Sequence, residues 1–263
     1  MANLILKEII DDICILTINR PEKRNALSPA LVKELRTEVE KVEQEDRVKV
    51  MVLTGSGDAF CAGADLAYLQ KISNYSRQEN LQDSQTLSEL FYQIYQMPKI
   101  TFAMLNGPAL AGGFGLAICC DYIFAASATV KLGFTEVRIG FVPAIVMNFL
   151  IRRLSFEKAF HLAISGEIIT AENAAKRGLV DQICPPNKMR EHTFNFIQKL
   201  LEKNSFNAMI QTKKLFQMLL DVPLKDGLKL ASEVNVNSRK TEDCRKGLEH
   251  FLNKMPLNWR HSS

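Results

Sequence analysis

A chain of 263 residues, 47% apolar and 24% charged, has the make-up of an ordinary globular protein with enough surface to bury one large core or two small ones. Its net charge of +4 is small and no basic run is longer than a pair such as Lys213-Lys214, which argues against a dedicated nucleic-acid surface. MANLILKEIIDD has acidic residues where a leader peptide wants basic ones, and the apolar run around Gly115 ends at Asp121, short of the ~20 residues of a bilayer span; the expectation is a cytoplasmic protein that does not enter the membrane.

In chain order, NLILKEI and ICILTIN predict a β-hairpin turning at Asp11-Asp12. NRPEKRNALS follows as a loop, and Ser28-Pro29 supply the N-cap and first position of a helix over PALVKELRTEVEKVEQED. VKVMVLTG predicts a buried strand that ends in the glycine-rich turn GSGDAFCAGADL. Helical spacing resumes over 77–97, KITFAML predicts another strand, and YIFAAS and TVKLG predict two short ones. From about residue 142 onward the spacing is helical, over 143–153, 155–164, 171–177, 188–203, 206–220, 224–238 and 241–253. Alternating strands and helices followed by a helical tail predict an α/β fold without internal repeats. Six scattered cysteines (14, 61, 119, 120, 184 and 244), with no CxxC pair and no nearby His at zinc spacing, predict buried reduced thiols and no metal site.

Two loops share one layout, an apolar strand followed by small residues and a helix: FCAGADL (60–66) and NGPALAGGFGL (106–116). Neither fits GxGxxG or GxxxxGK[ST], which argues against dinucleotide and P-loop phosphate binding. Small residues here either let helices sit close to a sheet or leave two unpaired N–H groups where backbone meets substrate. Two convergent N–H donors are what an oxyanion hole requires, and for a thioester the stabilised charge is an enolate.

The ordered set NRPEKRNALS, TGSGDAFCAGADL, NGPALAGGFGLAICCDY, FTEVRIGFVPA, SGEIITAENAAKRGLVDQIC and FLNKMPLNW resembles the enoyl-CoA hydratase/isomerase (crotonase) superfamily over almost the full chain, nearest in look to bacterial methylglutaconyl-CoA hydratase-like members. The resemblance implies a crotonase-like ββα spiral core over 1–195 and a C-terminal helical region over 196–263 that packs copies into a trimer or dimer of trimers. It implies an acyl-CoA as substrate, with no separate cofactor and no nucleic-acid partner. The oxyanion donors would be the N–H groups of Ala62 and Gly112, and Gly113 would let the backbone approach the thioester. The backbone of Cys61, Gly63, Ala64 and Asp65 would hold the adenine and pantetheine end, Arg24 and Ala26 would lie near the nucleotide, and Lys254 would reach the CoA phosphates.

Members that hydrate enoyl-CoA in the standard way carry two glutamates. Here the first position is Gly115, which either admits a bulkier acyl group or leaves the water to be held by substrate or pocket, and the second is Glu136. One carboxylate is enough to move a double bond, because it can take a proton and return it; adding water calls for a second group. Hydration of a short or branched 2-enoyl-CoA, Δ3,Δ2-enoyl-CoA isomerisation by Glu136 alone, and a non-catalytic CoA-binding module all stay open. Tyr68, Tyr75 and Asp83, on the segment expected to line the acyl pocket, are candidates for a second acid. His161, His192 and His250 fall within predicted helices and read as surface or packing residues.

Overall fold

β-Branched residues at the start of the chain pair as a hairpin: β1 (Ile5–Ile10) runs antiparallel to β2 (Ile13–Ile18), Ile10 facing Ile13 across a turn in which Asp11 holds φ 52°. This computed structural model describes residues 3–127 and 129–261. Ser28 caps α1 (Pro29–Glu43), its hydroxyl accepting from Leu31 N at 3.3 Å, and the helix buries Leu31, Leu35, Val39 and Val42 at helical spacing. β3 (Val50–Gly55) follows parallel to β2. α2 (Leu66–Ile72) and α3 (Arg77–Gln96, with a Ser76–Glu79 capping box) then lead to β4 (Ile100–Leu105), parallel to β3.

The next turn is tighter. β5 (Ala109–Leu110) is followed by α4 (Gly112–Ile118), β6 (Tyr122–Ala126), β7 (Lys131–Gly133) and a 3-10 turn over Glu136–Ile139. After these come α5 (Ala144–Leu150), α6 (Phe156–Ser165), β8 (Ile169–Thr170), α7 (Ala171–Arg177), β9 (Gln182–Cys184) and α8 (Met189–Lys203). One sheet has the order β1-β2-β3-β4-β6-β9 and a small one the order β5-β7-β8. β3 and β4 are buried along almost their whole length, which suits parallel strands covered on both faces. In the larger sheet β2, β3, β4, β6 and β9 run parallel side by side, and the loops after β3 and β4 leave it at the same end.

The chain divides into two compact units, Met1–His192 and Thr193–Ser263. The second holds α9 (Phe206–Leu219), α10 (Leu224–Ser238) and α11 (Glu242–Leu252); Asp243 ties α11 to the start of α9, its carboxylate accepting from Ser205 Oγ and, at 3.3 Å, from Asn207 Nδ2. This unit leaves large apolar side chains in solvent: Leu224 is 80% exposed, Phe251 81% and Leu252 74%. Among the described residues no helix is long and apolar enough to cross a membrane, and no cluster of three or more His, Cys, Asp or Glu could hold a metal ion.

Candidate active site

Asn25 is fully buried at φ 58°, and its amide organises the first loop: Nδ2 donates to Ser56 O (2.9 Å) and Ala59 O (2.7 Å), while Oδ1 accepts from Arg20 N (2.8 Å). The chain doubles back so closely after β3 that a Cβ on Gly55 would meet Ala59 O at 2.3 Å. Leu27 then pairs with the small-residue segment, donating its N–H to Gly63 O (2.7 Å) and accepting from Asp65 N (2.9 Å). Arg20 clamps the pairing, with Nη1 on Ala26 O (3.1 Å) and Nη2 2.8 Å from Asp65 Oδ2. Asp65 Oδ1 meanwhile caps α2 by accepting from Ala67 N. Burial pushes the Asp65 carboxyl up, but Arg20 and the capping N–H groups outweigh it and hold the pKa below the ordinary value.

The second loop lies against the first. Phe60 N and Cys61 N both donate to Pro108 O (3.1 and 3.2 Å), and Leu110 N donates to Cys61 O (3.0 Å). A Cβ on Gly113 would sit 2.1 Å from that same Cys61 O, so only glycine fits. Ala111 takes the strained pair φ 49°, ψ −128° just before Gly112, and its N–H donates to Gly133 O at 2.8 Å. That bond, the Leu110–Gly133 pairing and the stacked rings of Phe114 and Phe134 (4.9 Å) attach the 133–136 segment to the glycine-rich loop. Glu136 comes three residues after Gly133. The structure therefore gathers segments 20–27, 60–65, 106–113 and 133–136 within the first unit.

Glu136 Oε2 is buried and, among the described residues, has no hydrogen-bond partner. Burial raises its pKa, opposed only by its own backbone N–H. Among the described residues Gly112 N–H has no acceptor, as expected in the first turn of a helix. Ala62 corrects the expectation of two unpaired donors: it lies before the Asp65 N-cap, outside α2, and its N–H donates to Arg24 O at 3.0 Å. Arg24 itself is exposed at φ 51°, Ala26 is buried, and Ala64 is half-buried in the bridge to Leu27. Burial pushes the Cys61 thiol up to about 12, so it is neutral and no nucleophile. Lys254 belongs to the second unit, exposed at φ 53° beyond α11.

Gly115 also departs from expectation. Its missing side chain leaves no room for an acyl group, because a Cβ there would meet Val146 Cγ1 at 2.4 Å and Phe91 Cε2 at 2.8 Å. Side chains from α3 and α5 fill the space where a carboxylate would project from α4. Asp121 is a structural cap, its Oδ2 accepting from Thr101 N (2.8 Å) and Oγ1 (3.0 Å). Tyr68 and Asp83 bond to each other across α2 and α3, and burial, then the Asp83 carboxylate, pushes the Tyr68 hydroxyl's pKa up. Sequence reasoning missed Arg20, Asn25, Phe91 and Val146. An Asn inside the loop NRPEKRNALS, a residue type that tolerates positive φ, was the available signal for Asn25; Phe91 and Val146 had none, since their role is a contact between helices far apart in the chain.

The family described as enoyl-CoA hydratase/isomerase matches residues 8–262. A Thermus thermophilus protein provisionally named an enoyl-CoA hydratase is 38% identical over 244 residues, 93% of this chain and 96% of its own. The 2,3-dehydroadipyl-CoA hydratase of Escherichia coli is 31% identical, over 92% of each chain. The crystal structure of an enoyl-CoA hydratase from Bacillus anthracis superposes with a TM-score of 0.88 at 26% identity, covering 98% of this chain and 99% of that one.

The Glu136 carboxyl titrates above 4.5 in the fold, so its ionisation destabilises the folded state. The penalty is absent below the unfolded value, grows as pH rises towards the folded value and is complete above it. Glu136→Gln is accordingly expected to raise the melting temperature at pH 7. The gain should vanish in melts recorded below pH 4.5; an equal shift at every pH, or a loss at pH 7, would contradict the assignment of an unpartnered buried carboxylate.

Proposed function

The chain belongs to the enoyl-CoA hydratase/isomerase family, and from that premise we propose that it adds water to a short or branched 2-enoyl-CoA, a methylglutaconyl-like thioester, with Glu136 as its single carboxylate. The observation that carries this reading is the buried, unpartnered Oε2 of Glu136, whose pKa burial raises, as suits a group that takes a proton and gives it back. In this reading the thioester oxygen accepts from the N–H groups of Gly112 and Ala62. Water oxygen bonds to C3 while its proton passes to Glu136, and the double-bond electrons move onto the thioester as an enolate. Protonated Glu136 then delivers that proton to C2, the enolate collapses, and the carboxylate is restored. The CoA is part of the substrate and the step needs no redox agent. The backbone of 61–65, with Arg24 and Ala26, is assigned to the nucleotide and pantetheine end.

The hydratase names of the relatives support water addition, including one named for 2,3-dehydroadipyl-CoA. A specific observation favours a second reading. With Phe91 and Val146 closing the space at Gly115, α4 supplies no carboxylate to orient water, and one base suffices to carry a proton from C2 to C4 in Δ3,Δ2 isomerisation.

A panel of crotonyl-CoA, 3-methylglutaconyl-CoA and a 3-enoyl-CoA separates the two. Hydration of a branched or short 2-enoyl-CoA is expected, with Glu136→Gln lowering kcat about 10²–10⁴-fold while acyl-CoA binding persists. Migration of the double bond with no hydration of any substrate would install the isomerase reading, and no turnover at all would leave a binding module. Gly115→Glu should lower stability and add no hydratase activity, since the carboxylate would be forced into a filled apolar site. The exposed Leu224, Phe251 and Leu252 are assigned to packing between copies in a trimer or dimer of trimers. Light scattering at micromolar concentration should give a multiple of three protomer masses; a monomer would refute the assembly.

A further inference from the structure

Both ends of the 20–27 loop are fastened. Arg20 N donates to Asn25 Oδ1 at 2.8 Å and Asn25 N to Arg20 O at 2.9 Å, while Leu27 is paired with Gly63 and Asp65. Between the fastenings stands Arg24, exposed, at φ 51°, followed by Asn25 at φ 58°. Two consecutive residues in the left-handed region are an uncommon outlay for side chains that carry a Cβ. What that backbone shape delivers is the Arg24 carbonyl, directed onto Ala62 N–H at 3.0 Å. A half-buried N–H left without an acceptor would be unfavourable, and the carbonyl removes that penalty.

We propose that the Arg24 carbonyl is a resident stand-in for the thioester oxygen: it occupies Ala62 N–H in the empty site and is displaced when an acyl-CoA carbonyl arrives. This rests on the assignment of Ala62 N–H to the thioester oxygen. Binding at Ala62 is then an exchange of one neutral acceptor for another, so the donor contributes little to ground-state affinity. The enolate, a charged acceptor, bonds the same N–H more strongly, and the gain appears in the transition state. Releasing the carbonyl subtracts equally from bound substrate and transition state, so it bears on KM and leaves kcat alone. Ligands without a thioester carbonyl have nothing to put in place of Arg24 O and leave the cap closed. The 20–27 loop thereby reports whether an acyl group is present on the CoA.

The test uses the intact protein labelled with 15N-alanine, the Ala62 resonance being the one lost in Ala62→Gly. Free CoA, the thioether S-butyl-CoA and the saturated thioester butyryl-CoA are added in turn. The expected result is an exchange-protected Ala62 amide in the free protein that shifts with butyryl-CoA alone, while all three ligands shift other resonances. An Ala62 amide that exchanges freely in the empty protein, or that moves equally with thioether and thioester, overturns the cap and leaves the acyl-CoA reading standing. If none of the three ligands shifts any resonance, both fall.

Discussion

One contact sets the site: Gly113 lies on the carbonyl of Cys61 with no room for a side chain, a Cβ there falling 2.1 Å from the oxygen. Parallel pairing of β3 with β4 brings the two following loops out at the same end of the sheet, and Pro108 O, accepting from both Phe60 and Cys61, fixes their register. Bare backbone then lets them touch. The oxygen under Gly113 also accepts from Leu110, so the loops are joined by hydrogen bonds and by contact at one atom. Ligand crevices at the carboxyl ends of neighbouring parallel strands are the general rule for open α/β sheets, and the two small-residue loops leave the sheet at those ends.

Around this junction the backbone is repeatedly strained. Arg24, Asn25 and Ala111 all hold positive φ, and each flanks or contacts a group assigned to the substrate. The buried Asn25 amide and the Arg20–Asp65 ion pair hold the 20–27 loop in its left-handed turn. The 133–136 segment joins through Ala111 and the Phe114–Phe134 stack, which brings in a carboxylate at a place where burial keeps its pKa high. On α4 the corresponding chemistry is absent, because Phe91 and Val146 pack against the bare Cα of Gly115. Among the described residues, Glu136 Oε2 is buried and without a hydrogen-bond partner where the 133–136 segment meets the glycine-rich loop.

Much of this was legible in the residues. The helices over 171–177 and 224–238 end where the apolar spacing and flanking Thr170, Gly178 and Pro223 say they should. β5, β8 and β9 escaped because strands of two or three residues carry no alternation to read. The paired glycines were readable as close backbone approach, since few other roles explain them. Two features were not. Whether Ala62 N–H is open depends on a left-handed Arg24, which no propensity of arginine suggests, and whether Gly115 is vacant depends on side chains from two other helices. Local pattern gives a residue's reach; it does not give what already stands within that reach.

The central claim, that activity depends on two loops held in bare-backbone contact, is tested most directly by kcat/KM of Gly113→Ala on whichever enoyl-CoA the wild type turns over. The added methyl must push Cys61 and Gly113 apart, and a displacement of about 1 Å in a reacting geometry is worth about 10²-fold in rate. The account predicts a fall of at least that order with the circular dichroism of the folded protein retained. A kcat/KM within about twofold of wild type would show that the junction does not set the site.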